Sequence, residues 1–580
     1  MIKKFTSILL AMGMAGCQMS NHPLAEGTNS ALPNDPSIHW EVVNRFRIID
    51  GEDEERRFIQ DVSTHIKRVG QQVFSLLTSS LAQIHENYRT HWDARSGRYV
   101  ESWLRDTIRQ IRISVNGLNN ESSCIWQLGT RELPSRRCND VLAEIDLRTQ
   151  PENVTVEIVS GARRQKLSGV IEIADIWIVG LGDSYASGEG NPHIQPYDQS
   201  LRLASGRRVK GIPAVWWDSR CHRSLVSGQA LAAAQVALQN QSASVTFLSF
   251  ACSGAAIPQV MLTGWKGRES IAQLRKLYAI YAFIERDIPR DQYPGGPDVL
   301  HPQLEQMRIA LTDAFGAVRS PDYVLISVGG NDIGFGQIAA DLLLVHELRS
   351  TEERCPKLRT ALECYQDQGV SEGFEKLASE YYRLYEQIHN DRGRAKRIIL
   401  TEYPNLVMAK NHAYCSDNRW TNFLNGILPF ARRPMVPIGA AAFARGYGLD
   451  LFEAKFADVN IIRKLNEIGK KSIEAAEDQF PNIQWLYAAG IYQRSSDQGR
   501  GYCSKPSWFL NVAESLFKQG FSTSDKEIKR SVGTTGILHP NVLGHCQYAD
   551  DILAKMGIQQ TGTSACDPSA WTEKRLRYFD

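Results

Sequence analysis

Apolar residues between positions 59 and 84 recur mostly by threes and fours, at Ile59, Val62, Ile66, Val69, Val73, Leu76, Leu77, Leu81 and Ile84. That spacing predicts a long amphipathic helix, or two in tandem, whose stripe packs on a core. Further along the period falls to two, in Ile111-Arg-Ile-Ser-Val115, Leu142-Ala-Glu-Ile-Asp-Leu147, Val154-Thr-Val-Glu-Ile158 and Val170-Ile-Glu-Ile173. Such alternation reads as half-buried antiparallel strands. With Cys124, Trp126 and Cys138 among them, residues 38–173 are expected to form an accessory domain, a long helix plus a β-sandwich-like pair of sheets. From 174 onward the rhythm is strand, loop, helix. Short apolar runs at 176–179, 245–250, 323–327, 398–403 and 483–487 alternate with helical patterns at 225–238, 304–315, 374–389 and 454–475. This predicts an α/β domain over 174–580, a doubly wound five-stranded parallel sheet between helices. The wide strand spacing puts insertions near 186–220, 256–300 and 405–445 over the sheet.

Composition narrows the classes. Over 580 residues, Lys+Arg 66 against Asp+Glu 64 gives a net charge of +2, which supplies no field for nucleic acid. Hydrophobic residues at 43% and charged residues at 22% exclude a mainly disordered chain. Residues 1–17 differ from the rest: Lys3 and Lys4 precede an apolar stretch at 5–15 that is too short to cross a bilayer but long enough for a signal peptide. The stretch ends in Met14-Ala15-Gly16-Cys17, which resembles a bacterial lipobox and implies a lipid anchor on Cys17, with plain cleavage after Ala15 as the alternative. Residues 18–37 read as a flexible tether, and Gln18 is what the lipobox resemblance associates with outer-membrane sorting in a host that has one. The expected location is the cell envelope, periplasmic or surface-exposed. Ten cysteines remain, an even number that reads as disulfides in an oxidising compartment. Their spacing suggests the local pairs Cys124–Cys138, Cys221–Cys252, Cys355–Cys364, Cys415–Cys503 and Cys546–Cys566. A metal site is not expected: no CxxC pair occurs, and His85-Glu86 meets His91 at the wrong offset for one helical face.

In an open α/β sheet, ligands bind beyond the carboxyl ends of the strands. At those ends stand Gly182-Asp183-Ser184-Tyr-Ala-Ser-Gly-Glu-Gly190, then Ala251-Cys-Ser-Gly254-Ala, then Gly329-Gly-Asn331-Asp332, and ahead of the last helix Leu538-His539-Pro. Taken in this order, the four segments resemble the sequence blocks of the SGNH (GDSL) hydrolase superfamily, in its secreted bacterial lipase and esterase branch. The resemblance covers roughly 174–556 and leaves the N-terminal region aside. It implies a serine esterase with Ser184 as nucleophile, His539 as general base, and an oxyanion hole made by the N–H groups of Ser184 and Gly254 and the Asn331 amide. Cys221-His-Arg-Ser upstream of the second block also recurs in that branch, where the two cysteines pair.

The chemistry is coherent without the resemblance. A serine hydroxyl is a weak nucleophile and needs a base within hydrogen-bond reach. Negative charge developing on the ester carbonyl needs preorganised donors, and a glycine at 254 lets the backbone approach it. Asp183 and Asp332 fit loop-buttressing roles. In one respect the sequence departs from the family: the place three residues before the histidine, usually Asp, is Gly536. A Ser–His dyad is therefore expected, with the Gly536 carbonyl or a neighbour orienting the ring, or a carboxylate from another loop. His545 is the rival base, but it stands a turn and a half into the following helix and reads as a helix-capping or packing residue. No Gly-x-Ser-x-Gly elbow of an α/β-hydrolase occurs, and Gly334-Phe-Gly336-Gln-Ile-Ala339 is misplaced for a dinucleotide site. No cofactor is called for. The substrate class stays open between a lipid ester, suited to the anchor and to apolar loops such as Val215-Trp216-Trp217, and an O-acetylated glycan. A non-catalytic surface-binding lipoprotein is the rival outside the enzymes.

Overall fold

In the computed structural model the described residues are 36–70, 88–118, 122–193, 197–202, 208–212, 214–276, 295–313, 315–335, 370–391, 395–415, 451–519, 535–558 and 564–571. The leader, Cys17, Cys355, Cys364 and the stripe from Val73 to Ile84 lie outside them.

Two antiparallel sheets make up the N-terminal region. Strand β1 (Ser37–Val42) pairs with β2 (Ile108–Asn116), which pairs with β5 (Val141–Asp146). The second sheet has β4 (Arg131–Glu132), β3 (Ser123–Leu128), β6 (Glu152–Ser160) and β7 (Arg163–Ile171) in that spatial order. Alternate residues from both sheets share one apolar core, among them Ile111, Ile113, Trp126, Ile145, Val154 and Val156. In β5 the inward phase falls on Val141, Ala143 and Ile145, so Leu142 is exposed.

Between β1 and β2 the chain leaves this sandwich. Helix α1 (Glu52–Gly70) is the N-terminal part of the expected helix, and it turns Phe58, Ile59, Val62 and Ile66 into the core of the α/β body. Just ahead of it, Phe46 bridges Val245 in parallel, with Arg47 N–H to Val245 O at 3.0 Å and Val245 N–H to Arg45 O at 2.7 Å. Residues 45–47 thereby cover the sheet edge. A helical period shows that a face will be buried but not against what, so this attachment had no signature in the pattern.

The body is α/β. Its five-stranded parallel sheet holds β8 (Ala174–Gly182), β9 (Ala243–Ser249), β10 (Tyr323–Ser327), β11 (Arg397–Thr401) and β12 (Gln484–Ala488), in the order β9-β8-β10-β11-β12. Every residue of β9 and β10 is buried, which is why these strands read as continuous apolar runs rather than alternations. After β8 comes a single turn, α2 (Ser184–Ser187). The flanking helices are α3 (Gly228–Gln239), α4 (Gln303–Leu311), α5 (Val370–Asn390), α6 (Arg463–Gln479), the short α7 (Val512–Gln519) and α8 (Val542–Lys555). α3 packs on α8, and α5 on α6. Because β8 has β9 on one side and β10 on the other, a crevice opens at its carboxyl end.

Four disulfides, Cys124–Cys138, Cys221–Cys252, Cys415–Cys503 and Cys546–Cys566, are formed and are consistent with an exported protein. Among the described residues no helix is long and apolar enough to cross a membrane.

Candidate active site

β8 ends in a strained turn. Gly182 has φ +134°, and a Cβ there would lie 2.0 Å from the Ser327 carbonyl oxygen, so only glycine fits. The buried Gln303 side chain grips this residue from both sides, accepting from its N–H at 2.8 Å and donating to its carbonyl at 2.9 Å. Asp183 then caps α2 by accepting from the Tyr185 N–H at 2.9 Å. Ser184, the first residue of the turn, faces the crevice.

The loop before α8 brings His539 to the same point. Its Nε2 lies 2.8 Å from Ser184 Oγ, and its Nδ1 lies 3.1 Å from the Ile537 carbonyl. The carbonyl facing the ring is therefore that of Ile537, not Gly536. Gly536 O is turned toward the His539 backbone N–H, 3.0 Å away, in a tight turn completed by Leu538 at φ +62°. Tyr185 Oη donates to Leu538 O at 2.9 Å, tying the serine turn to the histidine loop. With Nδ1–H held by a carbonyl, Nε2 is left unprotonated toward the serine. Burial lowers the His539 pKa, partly offset by the negative charge of Glu189.

Gly254 and Asn331 follow β9 and β10, the strands on either side of β8. Gly254 has φ +84°, and a Cβ there would meet only the Trp265 ring, at 3.8 Å. The Asn331 amide donates one N–H to Ala255 O at 2.8 Å, which ties it to the Gly254 loop and leaves a second N–H on the same nitrogen. Asp332 Oδ1 accepts from the Ile257 N–H at 2.9 Å, joining these two loops again. The Tyr403 hydroxyl donates to Asp183 and accepts from the Gly330 N–H at 3.1 Å, linking the serine turn to the Asn331 loop. Burial pushes the Asp183 carboxyl up to about 6 and that of Asp332 up to about 7.

His545 is fully buried, with Nδ1 accepting from the Gly228 N–H at 3.1 Å and its pKa driven down to about 3 by burial. It packs α8 on α3.

Sequence reading left a second buried polar cluster unassigned. Glu189, fully buried, faces His222 Nδ1 at 2.8 Å, and the other ring nitrogen faces Glu269 at 2.7 Å. The His222 ring lies flat on Trp216, centroids 4.5 Å apart. Burial opposes charge on both partners, but their mutual attraction and hydrogen bonds win: the Glu189 carboxyl is held well below the usual range and the His222 pKa is raised. His222 stands in the Cys221-His-Arg-Ser segment and Glu189 in the GEG tripeptide, but neither spacing announces the pairing.

No protein-family model matches the chain, and no curated protein matches it in sequence. Among solved structures it is similar to a carbohydrate acetylesterase from Xanthomonas citri, at 9% identity and TM-score 0.18 over 53% of this chain and 58% of that one. It is likewise similar to a point mutant of the PilB minor pilin from Streptococcus sanguinis, at 8% identity and TM-score 0.18 over 66% and 86%. The chain thus spans less than two thirds of the acetylesterase. Likenesses this slight carry no argument about activity.

Proposed function

We propose that the protein is an exported serine esterase of the SGNH (GDSL) type, acting through an acyl-enzyme on Ser184. The observation that carries this reading is the 2.8 Å approach of Ser184 Oγ to His539 Nε2, with Nδ1 turned to a carbonyl. In the acylation step, Ser184 Oγ attacks the ester carbonyl while its proton passes to His539 Nε2. The carbonyl electron pair moves onto oxygen, where the N–H groups of Ser184 and Gly254 and the second Asn331 N–H stabilise it. Collapse of the tetrahedral intermediate breaks the bond to the alcohol, which takes the proton from the imidazolium. Water then repeats the sequence on the acyl-serine, releasing the acid and restoring the hydroxyl.

A neutral Ile537 carbonyl fixes the working tautomer as a carboxylate would, while Asp183 and Asp332 hold loops rather than transfer protons. A lipid anchor on Cys17 belongs to the same proposal and is tested by loss of fatty-acid labelling in Cys17→Ser. A fluorophosphonate probe tests the enzyme directly: it labels the wild type and not Ser184→Ala, whereas a purely binding protein shows no Ser184-dependent labelling. Rates on p-nitrophenyl esters then define the substrate. A sharp fall beyond acetate indicates a glycan O-acetyl ester, and a plateau or rise indicates a lipid ester.

A further inference from the structure

Glu189 is a carboxylate with no exposed surface, and the acyl-transfer steps above do not use it. Burying a charge is costly unless it is paired and hydrogen-bonded, so a protein that keeps one has surrounded it deliberately. One Glu189 oxygen faces His222. The other accepts from Thr535 Oγ1 at 2.8 Å and from the Gln519 side-chain amide. Gln519 Oε1 in turn accepts the Gly536 N–H at 2.8 Å, and Gly536 O accepts the His539 N–H at 3.0 Å. A continuous set of hydrogen bonds thus runs from the carboxylate to the backbone of the base. The two loops also touch directly, since a Cβ on Gly536 would lie 2.9 Å from the Gly190 Cα.

Resting on the esterase reading, we propose that Glu189 is the positioning residue of His539. Its carboxylate, pinned by His222, holds the 535–539 loop so that the Ile537 carbonyl faces Nδ1, and supplies the negative charge which that neutral carbonyl lacks. Both His222 nitrogens face carboxylates, so the ring carries two N–H donors and a positive charge. Of the charges in this cluster, that of the Glu189 carboxylate is the one that favours a charged His539. When His539 takes the serine proton, that charge stabilises the new imidazolium without moving. Other charged or titratable groups face the pair: Arg268 and His222 act on both members, His539 acts on His545, and the Tyr185 ring packs on His539. Arg268 and His222 oppose charge on His539, while Glu189 and, after it, the Ile537 carbonyl favour it.

Two variants with opposite expected shifts test this, with active sites counted by fluorophosphonate titration so that misfolded protein does not enter the rates. Glu189→Gln keeps the shape and removes the charge. It is expected to lower kcat per titrated site by about tenfold or more, a fraction of what a general base contributes, with KM little changed. The acid limb of its kcat/KM profile moves to lower pH, because His539 has lost a neighbouring anion. His222→Gln removes a cation that opposes charge on His539 while Glu189 keeps its bonds from Thr535 and Gln519, so its acid limb moves to higher pH. A purely structural role would lower stability and leave both limbs where the wild type has them, and that result overturns the proposal. Should Glu189→Gln yield no titratable sites, the direction of the His222→Gln limb decides alone. A wild type that the probe does not label sinks the esterase reading itself, a failure distinguishable from unmoved limbs in labelled enzyme.

Discussion

Trp126 in the N-terminal sandwich and Glu189 at the rim of the parallel sheet are both fully buried, and different physics holds them there. The Trp126 side chain is wrapped in the aliphatic side chains of two sheets, and its one polar atom, Nε1, donates to Arg137 O at 2.8 Å. Glu189 has polar partners on both oxygens, drawn from three separated stretches of chain. An apolar core is non-directional and tolerates substitution that preserves volume. A buried polar network fails when a single partner is lost, because the survivors remain desolvated. The rim has therefore traded robustness for a fixed geometry at Ser184.

Changes in the two regions should break different properties. Ser184→Ala is expected to cost on the order of 10^6-fold in kcat with no loss of stability, read from ester hydrolysis and thermal melts. Trp126→Ala should do the reverse, lowering stability by about 3–5 kcal/mol in denaturant titration while kcat per labelled site stays at the wild-type value. Asn331→Ala should reduce kcat by about 100- to 1,000-fold by removing an oxyanion donor, with KM little affected. Tyr403→Phe leaves Asp183 and the Gly330 N–H each without the hydroxyl they share, a loss of about 1–3 kcal/mol visible in both melts and rates. The smallest effect is in pH. Because the His222 pKa is raised above 6.5 in the fold, its stabilising contribution is full below that value and lost as pH rises through the raised pKa. The stability gap between wild type and His222→Gln should accordingly narrow on the alkaline side, as measured by melting at a series of pH values.

The parallel sheet was legible because its strands are buried on both faces and punctuated by glycines. The run at 323–327 coincides with β10, and the other four fall within a few residues of β8, β9, β11 and β12. The segments carrying Ser184, Gly254, Asn331 and His539 stood out in the sequence because each sits just after a strand or just before a helix, in a short motif of unusual composition. The attachment of Phe46 to Val245 was not, since three residues of edge pairing carry no period. Nor were Tyr403, Glu189, His222 and Glu269, which meet only because loops from distant parts of the chain converge. The orienting carbonyl was read as that of Gly536 or a neighbour, and it is the neighbour Ile537 that faces the ring, in a turn with Leu538 at positive φ.

The placement of residues 45–47 on the β9 edge and of α1 in the core of the body, both between β1 and β2 in the chain, has a practical corollary for dissecting the molecule. Because β1 and β2 lie on either side of these segments, no single cut releases the sandwich intact. A shortened chain starting at 174 would bare the β9 edge and the trough filled by Phe58 and Ile66, inviting edge-to-edge aggregation. Splitting the gene where the sheets change would yield two sticky fragments, so the N-terminal third travels with the α/β body as part of its walls.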